Sequence, residues 1–267
     1  MKKNTLLLFY MLILSIFILS CSGFEKILKS KDYNFKYKKA LEYYKKGDHY
    51  RYTTILEQLV PIFNGTQRAD TVEFYYAMGN YKQGDYILAG HYFDKFRKTY
   101  PRSVFTEEAE YMYAYCYYES SPRPELDQDN TKAAIAAFSE FLSKYPRTDK
   151  GAKVNSLLNE LNDKLLEKAY LSAKLYYDVS EYKAAIVALK NSLKEYPKTK
   201  HREEQLFLIL KSAYLLADNS VPEKRRERFQ ATIDEYYTFV GEFPQSEYAK
   251  DAKRMYDASR KVIGNQN

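Results

Sequence analysis

Apolar residues between Asp70 and Pro101 fall into two runs at helical spacing. The pattern breaks once, at Gly84-Asp85, restarts through Ala89, Tyr92, Phe93, Phe96 and Tyr100, and stops at Pro101. This predicts two helices folded against each other through one turn. The pattern recurs. Tyr100-Pro101, Tyr145-Pro146, Tyr196-Pro197 and Phe243-Pro244 are aromatic-proline stops, and Gly47-Asp48 repeats the turn of Gly84-Asp85. About five helical hairpins are expected. The first runs from Asp32 to Phe63, with helices through Tyr37, Ala40, Leu41 and Tyr44 and through Tyr52, Leu56 and Leu59, the latter ended early by Pro61. The third pairs Thr106 to Glu119 with Asn130 to Lys144 across the loop Ser120 to Asp129. A lengthened helix from Thr148 to Leu165 precedes the fourth, Leu166 to Tyr196. The last runs from Arg202 to Phe243 with a basic loop, Lys224 to Arg228, at its middle, and Gln245 to Ile263 reads as a polar capping helix. Ser22 to Lys31 carries no strong pattern and reads as a tether.

Ala77, Gly84, Ala89, Phe93 and the closing proline stand where the 34-residue tetratricopeptide (TPR) repeat places small, turn, aromatic and stop residues. One hairpin cannot bury its apolar face alone, so neighbours stack into a continuous core. The expected fold is all-α, a right-handed superhelical solenoid of about five TPR-like hairpins with a C-terminal capping helix. Pro101 and Pro146 are 45 residues apart, longer than one repeat, which marks Ser120 to Asp129 as an insertion. Loops of this length are either functional or disordered.

Composition adds an anchor. Lys2-Lys3 and the apolar run Leu6 to Leu19 form an export signal, too short for a spanning helix. It ends in Ile18-Leu19-Ser20-Cys21, which resembles the lipobox of bacterial lipoproteins, where the chain is cut before the cysteine and its thiol is acylated. If the lipid takes Cys21, Cys116 has no disulfide partner, and its aromatic surroundings predict a buried, inert thiol. Removing residues 1–20 takes away Lys2 and Lys3 and lowers the net charge from +7 to +5. Lys and Arg interleave with Asp and Glu along the helices, which speaks against nucleic-acid binding. His49, His91 and His201 lie in different repeats and no phosphate-binding glycine loop occurs, so no metal, cofactor or catalytic site is expected.

The 29 tyrosines, against no tryptophan, carry the chemistry that remains. With Ala40, Ala77, Ala114 and Ala173 in register, ring pairs recur seven residues apart: Tyr37 and Tyr44, Phe74 and Tyr81, Tyr111 and Tyr118, Tyr170 and Tyr177, then Phe207 and Tyr214. Seven residues are close to two turns, so each pair shares a face. The rings either line a concave groove or pack one inner helix on the next. Lys45 and Lys82 follow the second ring of the first two pairs. The guanidinium groups of Arg225, Arg226 and Arg228 offer forked donors to a partner's carboxylates, or form a solvated charge run.

Cys21, the leader KILKSKDYNFKYKKALEYYKKGDHY from Lys26, the five repeats and the segment EAEYMYAYCYYESSPRPELDQDNTKAAIAAFSEFLSKYP from Glu108 together resemble the BamD family, repeat lipoproteins of the machine that folds β-barrels into the outer membrane. The resemblance covers essentially the whole mature chain. It implies a periplasm-facing, lipid-anchored outer-membrane subunit without enzymatic activity, with residues 1–20 as signal peptide and 21–31 as lipidated tether. Repeats over 32–147 would receive the C-terminal targeting strand of unfolded barrel proteins. Repeats over 148–263 would dock on the barrel and POTRA subunit, beside other lipoproteins of the complex. A groove formed by Tyr37, Tyr44, Lys45, Phe74, Tyr81, Lys82, Tyr111 and Tyr118 would suit a strand ending in an aromatic residue and a free carboxylate. The same repeats would also serve a scaffold lipoprotein of another envelope complex. A glycan-binding TPR lipoprotein is disfavoured by the lack of tryptophan.

Overall fold

The computed structural model describes residues 23–264, so Cys21 and the signal segment lie outside the described residues. Every regular element among them is helical. The contacts divide the chain into two compact units: one takes in the described residues up to Ser121 together with Asp129–Leu158, the other Pro122–Gln128 and everything from Asn159.

In the first unit, α1 (23–29) is followed by α2 (Tyr33–Lys45), α3 (His49–Phe63), α4 (Ala69–Lys82), α5 (Tyr86–Thr99), α6 (Thr106–Glu119) and α7 (Asp129–Lys144), and from α2 onward each helix packs on the next. These are stacked TPR-like hairpins. The Gly-Asp turns explain their own sequence. Gly47 and Gly84 take left-handed backbone at φ +73° and +81°, ending one helix, and the next residue caps the following one, with Asp48 accepting from the Arg51 amide and Asp85 from the Leu88 amide. The small residues in register, Ala40, Ala77 and Ala114, are fully buried, and Phe93, Phe96, Phe138 and Phe141 fill the space between helices. Gly79 lets α4 approach α3 so closely that a β-carbon there would stand 3.0 Å from the Tyr52 ring.

The second unit holds the C-terminal part of α8 (Gly151–Asp178), then α9 (Tyr182–Glu195), α10 (Arg202–Asp218), α11 (Pro222–Glu242) and α12 (Ala249–Gly264). Helix α10 is buried along Gln205–Leu210 and packs on α9, α11 and α12, so α12 closes this end as the polar terminal helix was expected to do.

Four details depart from the sequence reading. Residues 23–29 form a helix rather than an unpatterned tether, and its Ile27 is buried in a cluster with Ala40, Tyr52, Ile55 and Leu59. Pro61 does not end α3, which continues to Phe63; the carbonyl of Glu57, left without an amide donor, lies on an exposed stretch where water can serve it. The lengthened helix and the first helix of the fourth hairpin are one element of 28 residues, α8. Its turn into α9 has Ser180 at φ +64° where the earlier turns have glycine, which is why no Gly-Asp signal marked it. Finally, Lys224 to Arg228 is not a loop: Pro222 starts α11 and the basic residues form its first turns.

The insertion after α6 is held at both ends. Asn130 donates to the Ser120 carbonyl, 3.1 Å, and Ser121 and Thr131 share a hydroxyl hydrogen bond of 2.6 Å. Within Pro122–Gln128 the buried Gln128 amide donates to the carbonyls of Arg123, 2.9 Å, and Leu126, 3.0 Å, and Lys168 Nζ donates to that of Glu125, 2.9 Å.

Candidate functional site

The paired rings of the first unit divide by burial. Phe74 and Tyr111, at 4% and 5% exposure, are core residues: Phe74 stacks on Phe105 at 4.6 Å and touches Phe93 and Phe96 edge-on, and Tyr111 lies against Phe138 and Phe141. Tyr170 and Phe207, the first rings of the last two pairs, are buried in the same way, Tyr170 under His201 at 3.9 Å and Phe207 under Tyr248 at 4.4 Å. The cause is position along the helix. Phe74, Tyr111 and Phe207 face large apolar residues of the following helix, whereas the second ring of each pair lies near the helix end. Tyr37, in the first hairpin, is half-buried against Phe63 at 6.1 Å and under the Arg68 guanidinium at 5.8 Å.

The second rings stay accessible. Tyr44 is 37% exposed, and Tyr81 and Tyr118 are half-buried. Rings that the seven-residue spacing did not single out link them: Tyr44 meets Tyr75 at 6.1 Å and Tyr75 meets Phe105 at 5.9 Å, while Tyr81 meets Tyr115 at 6.1 Å and Tyr115 meets Tyr118 at 5.3 Å. Tyr75 is set by a neighbour, since the buried Tyr52 hydroxyl donates to its carbonyl at 2.9 Å. Tyr75 directly follows the core ring Phe74 and Tyr115 stands one turn after the core ring Tyr111, so their signal was a shoulder on the periodicity rather than its peak. The structure therefore brings Tyr44, Tyr75, Tyr81, Tyr115 and Tyr118 into two accessible groups of rings, and takes Phe74 and Tyr111 out of them.

Cations lie against the rings of the second group, and one follows the first group in sequence. Lys45 is exposed one residue beyond Tyr44; Lys82 Nζ lies 5.7 Å from the Tyr81 ring centre, and Lys153 Nζ 5.1 Å from that of Tyr115. Burial, aided by the charge of Glu119, pushes the Tyr81 hydroxyl well above the ordinary tyrosine range, and burial likewise raises that of Tyr115, so these rings remain neutral hydrogen-bond formers at physiological pH. Such a surface can stack on an aromatic side chain and attract a carboxylate.

The arginine cluster is partly spoken for. Arg225 binds Asp218 at 3.1 Å and lies 5.7 Å over the Phe229 ring, and Arg228 donates to Ser220 Oγ at 2.6 Å, so both tie α11 to the turn before it. Arg226 is exposed. Cys116 is buried, with its thiol pushed up to about 12 by that burial, which suits an inert core residue. No cluster of metal-ligating side chains occurs among the described residues, and none of the described helices is long and apolar enough to cross a membrane. A pocket of about 350 Å³ between α5, α6 and the start of α7, lined by Tyr86, His91, Asp94, Tyr113 and Tyr117 among others, shares no residue with the ring groups.

Residues 29–228 match the model of a family described as YfiO, outer membrane lipoprotein. The chain belongs to that family. The matched span includes every ring named above in α2, α4 and α6 and all three arginines, and begins eight residues after Cys21. Among curated relatives, the chain is similar to the outer membrane protein assembly factor BamD of Caulobacter vibrioides, 29% identical over 132 residues, which is 49% of this chain and 43% of the relative. It is also similar to the putative outer membrane protein assembly factor BamD of Aquifex aeolicus, 27% identical over 206 residues, 74% of this chain and 65% of the relative. The matches thus span less than two thirds of either relative's length. Of solved structures, the TPR2AB domain of yeast Sti1, from its pHSP90 complex, aligns with a TM-score of 0.40 and 14% identity over 85% of this chain and 98% of that one.

Proposed function

We propose that this YfiO-family chain is a non-enzymatic, lipid-anchored subunit of the machinery that assembles β-barrel proteins into the outer membrane, facing the periplasm. The family match over residues 29–228 and the BamD relatives support the assembly role. In this reading Cys21 carries the lipid, and the first unit receives the C-terminal strand of an unfolded barrel protein. The second unit docks on the barrel and POTRA subunit. The observation that carries the substrate assignment is the pair of accessible ring groups at Tyr44–Tyr75 and Tyr81–Tyr115–Tyr118, the second with Lys82 and Lys153 against its rings and the first followed in sequence by the exposed Lys45. Stacking serves the terminal aromatic residue of such a strand, and Lys45 or Lys82 its free carboxylate.

Titration of a fluorescent peptide from the C-terminus of an outer-membrane barrel protein tests the assignment. Tyr44→Leu with Tyr81→Leu keeps much of the apolar bulk but removes the rings, and is expected to weaken binding about 5- to 150-fold, at about 0.5–1.5 kcal/mol per ring pair. Lys45→Ala with Lys82→Ala should weaken the free-acid peptide and leave its amidated form nearly unchanged. Equal affinities for all combinations, with melting points lowered by the tyrosine changes alone, would return these rings to a packing role.

A further inference from the structure

The net positive charge of the mature chain comes from one short stretch. Of the full sequence's 42 Lys and Arg and 35 Asp and Glu, residues 1–24 hold Lys2 and Lys3, and residues 25–46 hold eight lysines against Glu25, Asp32 and Glu42. From residue 47 onward 32 basic and 32 acidic residues remain and cancel. The stretch through α1 and α2 therefore carries the whole net +5 of the mature chain, while local basic runs such as Lys224 to Arg228 are balanced by acidic residues elsewhere.

The structure gives this stretch a surface. Helix α1 is fastened to the first unit: Ile27 is buried, and the Phe24 ring packs edge-on against Tyr43 at 5.8 Å beneath the Arg51 guanidinium at 5.5 Å. Contact of Phe24 with Tyr43 puts the start of α1 beside the end of α2, near Lys46. On α2, Phe35, Lys38, Lys39 and Lys46 recur at spacings that share one helix face. Phe35 is 40% exposed with the Lys39 ammonium 5.8 Å from its ring, and Lys38 and Lys46 are exposed, as are Lys26 and Lys31 before the helix. Phe35 is not among the residues that form or pack against the cluster around Ile27 and Ala40. An exposed aromatic ring among lysines matches the composition of segments that rest in the headgroup region of a bilayer, with the ring at the interface and ammonium groups on the phosphates.

We propose that the Phe35–Lys38–Lys46 face of α2, with Lys26 and Lys31, lies on an anionic phospholipid headgroup surface. The proposal rests on the lipid-anchored reading for its geometry: Cys21 stands two residues before Gly23, so an acylated Cys21 leaves almost no slack between the bilayer and α1. Lipid and lysines then act as the two signals that stable anchoring takes. They also hold the first unit against the membrane instead of letting it swing on a tether.

The test uses the whole mature chain from residue 21 carrying Cys21→Ser, so that no acyl chain contributes, with co-sedimentation on vesicles. Fatty-acid labelling of the unaltered protein reads the anchor separately, so the two readings fail independently. Binding is expected to vesicles containing about 30% phosphatidylglycerol, to be at least tenfold weaker to pure phosphatidylcholine vesicles, and to fall steeply with salt. Lys26→Glu, Lys38→Glu and Lys46→Glu together should weaken anionic-vesicle binding at least tenfold. Lys183→Glu, Lys194→Glu and Lys198→Glu, which change net charge equally, should leave it within about twofold. Because the chain has no tryptophan, Phe35→Trp supplies a single reporter whose emission should shift to the blue on anionic vesicles alone. Equal binding to both vesicle types, equal loss in both triple variants, or an unshifted Trp signal on bound vesicles would each overturn the proposal.

Discussion

Gly79 and Gly241 both sit inside helices, yet a β-carbon would mean opposite things at the two. At Gly79 it would penetrate the shell of Thr53 Oγ1, which already donates to the His49 carbonyl at 2.7 Å, and press on the fully buried Tyr52. At Gly241, near the end of α11, nothing lies within 4 Å. Gly79→Ala is therefore expected to destabilise the first unit by about 1–3 kcal/mol as overpacking, and Gly241→Ala to stabilise by about 0.4–1 kcal/mol by removing backbone freedom from the unfolded chain. Thermal melts of the two variants should move in opposite directions; a melting point lowered by Gly241→Ala as much as by Gly79→Ala would refute the close-approach account. The sequence showed Gly84 as a turn because a Gly-Asp pair interrupts the apolar spacing. It could not show Gly79, whose reason is a residue on another helix.

At the scale of the element, the aromatic-proline stops were legible as punctuation, but only the structure gives the first two tyrosines a role that phenylalanine could not fill. The Tyr100 hydroxyl donates to the buried Glu73 at 2.9 Å, across the hairpin, and Lys95 completes that carboxylate's shell at 3.3 Å. Burial, followed by the neighbouring Glu73 carboxylate, pushes the Tyr100 hydroxyl up to about 12, so it stays protonated and keeps donating. In the next hairpin Glu110 is buried in the corresponding place and pairs with Lys144 beside Tyr145. Helix α10 has the buried Leu206 at that place, and its stop is Phe243, with no hydroxyl to satisfy. Tyr100→Phe should accordingly cost about 1–2 kcal/mol, since a buried carboxylate loses one of its donors, whereas Tyr196→Phe, which faces no such buried acid, should stay within about 0.5 kcal/mol. Urea denaturation of both variants measures the difference, and equal midpoints would remove the role given to Glu73. The helix ends that the sequence misplaced share one cause. Pro61, Ser180 and Pro222 act through their exposure or backbone geometry, neither of which periodicity reports.

At the scale of the whole molecule, the arginines of α11 show what a sequence motif can and cannot say about docking. The motif was read as three equivalent donors on a loop, but within the second unit they differ. Reversing Arg225 or Arg228 would set a carboxylate beside Asp218 or strip Ser220 of its donor, loosening the turn between α10 and α11 whether or not a partner exists. Arg226 is exposed on the first turns of α11 and has an interaction of its own there, so its reversal tests docking only when recovery is read beside a melting curve. If the second unit meets a carboxylate-bearing surface of the barrel and POTRA subunit there, Arg226→Glu should lower co-purification with that subunit several-fold, most strongly at low salt, and by more than any accompanying fall in melting point accounts for. Arg225→Glu with Arg228→Glu should lower the melting point, and any loss of co-purification should track that loss of structure. Recovery that stays at the wild-type level for Arg226→Glu while falling for the double variant would assign the cluster to holding α11 on its turn, and would move the docking surface elsewhere on the second unit.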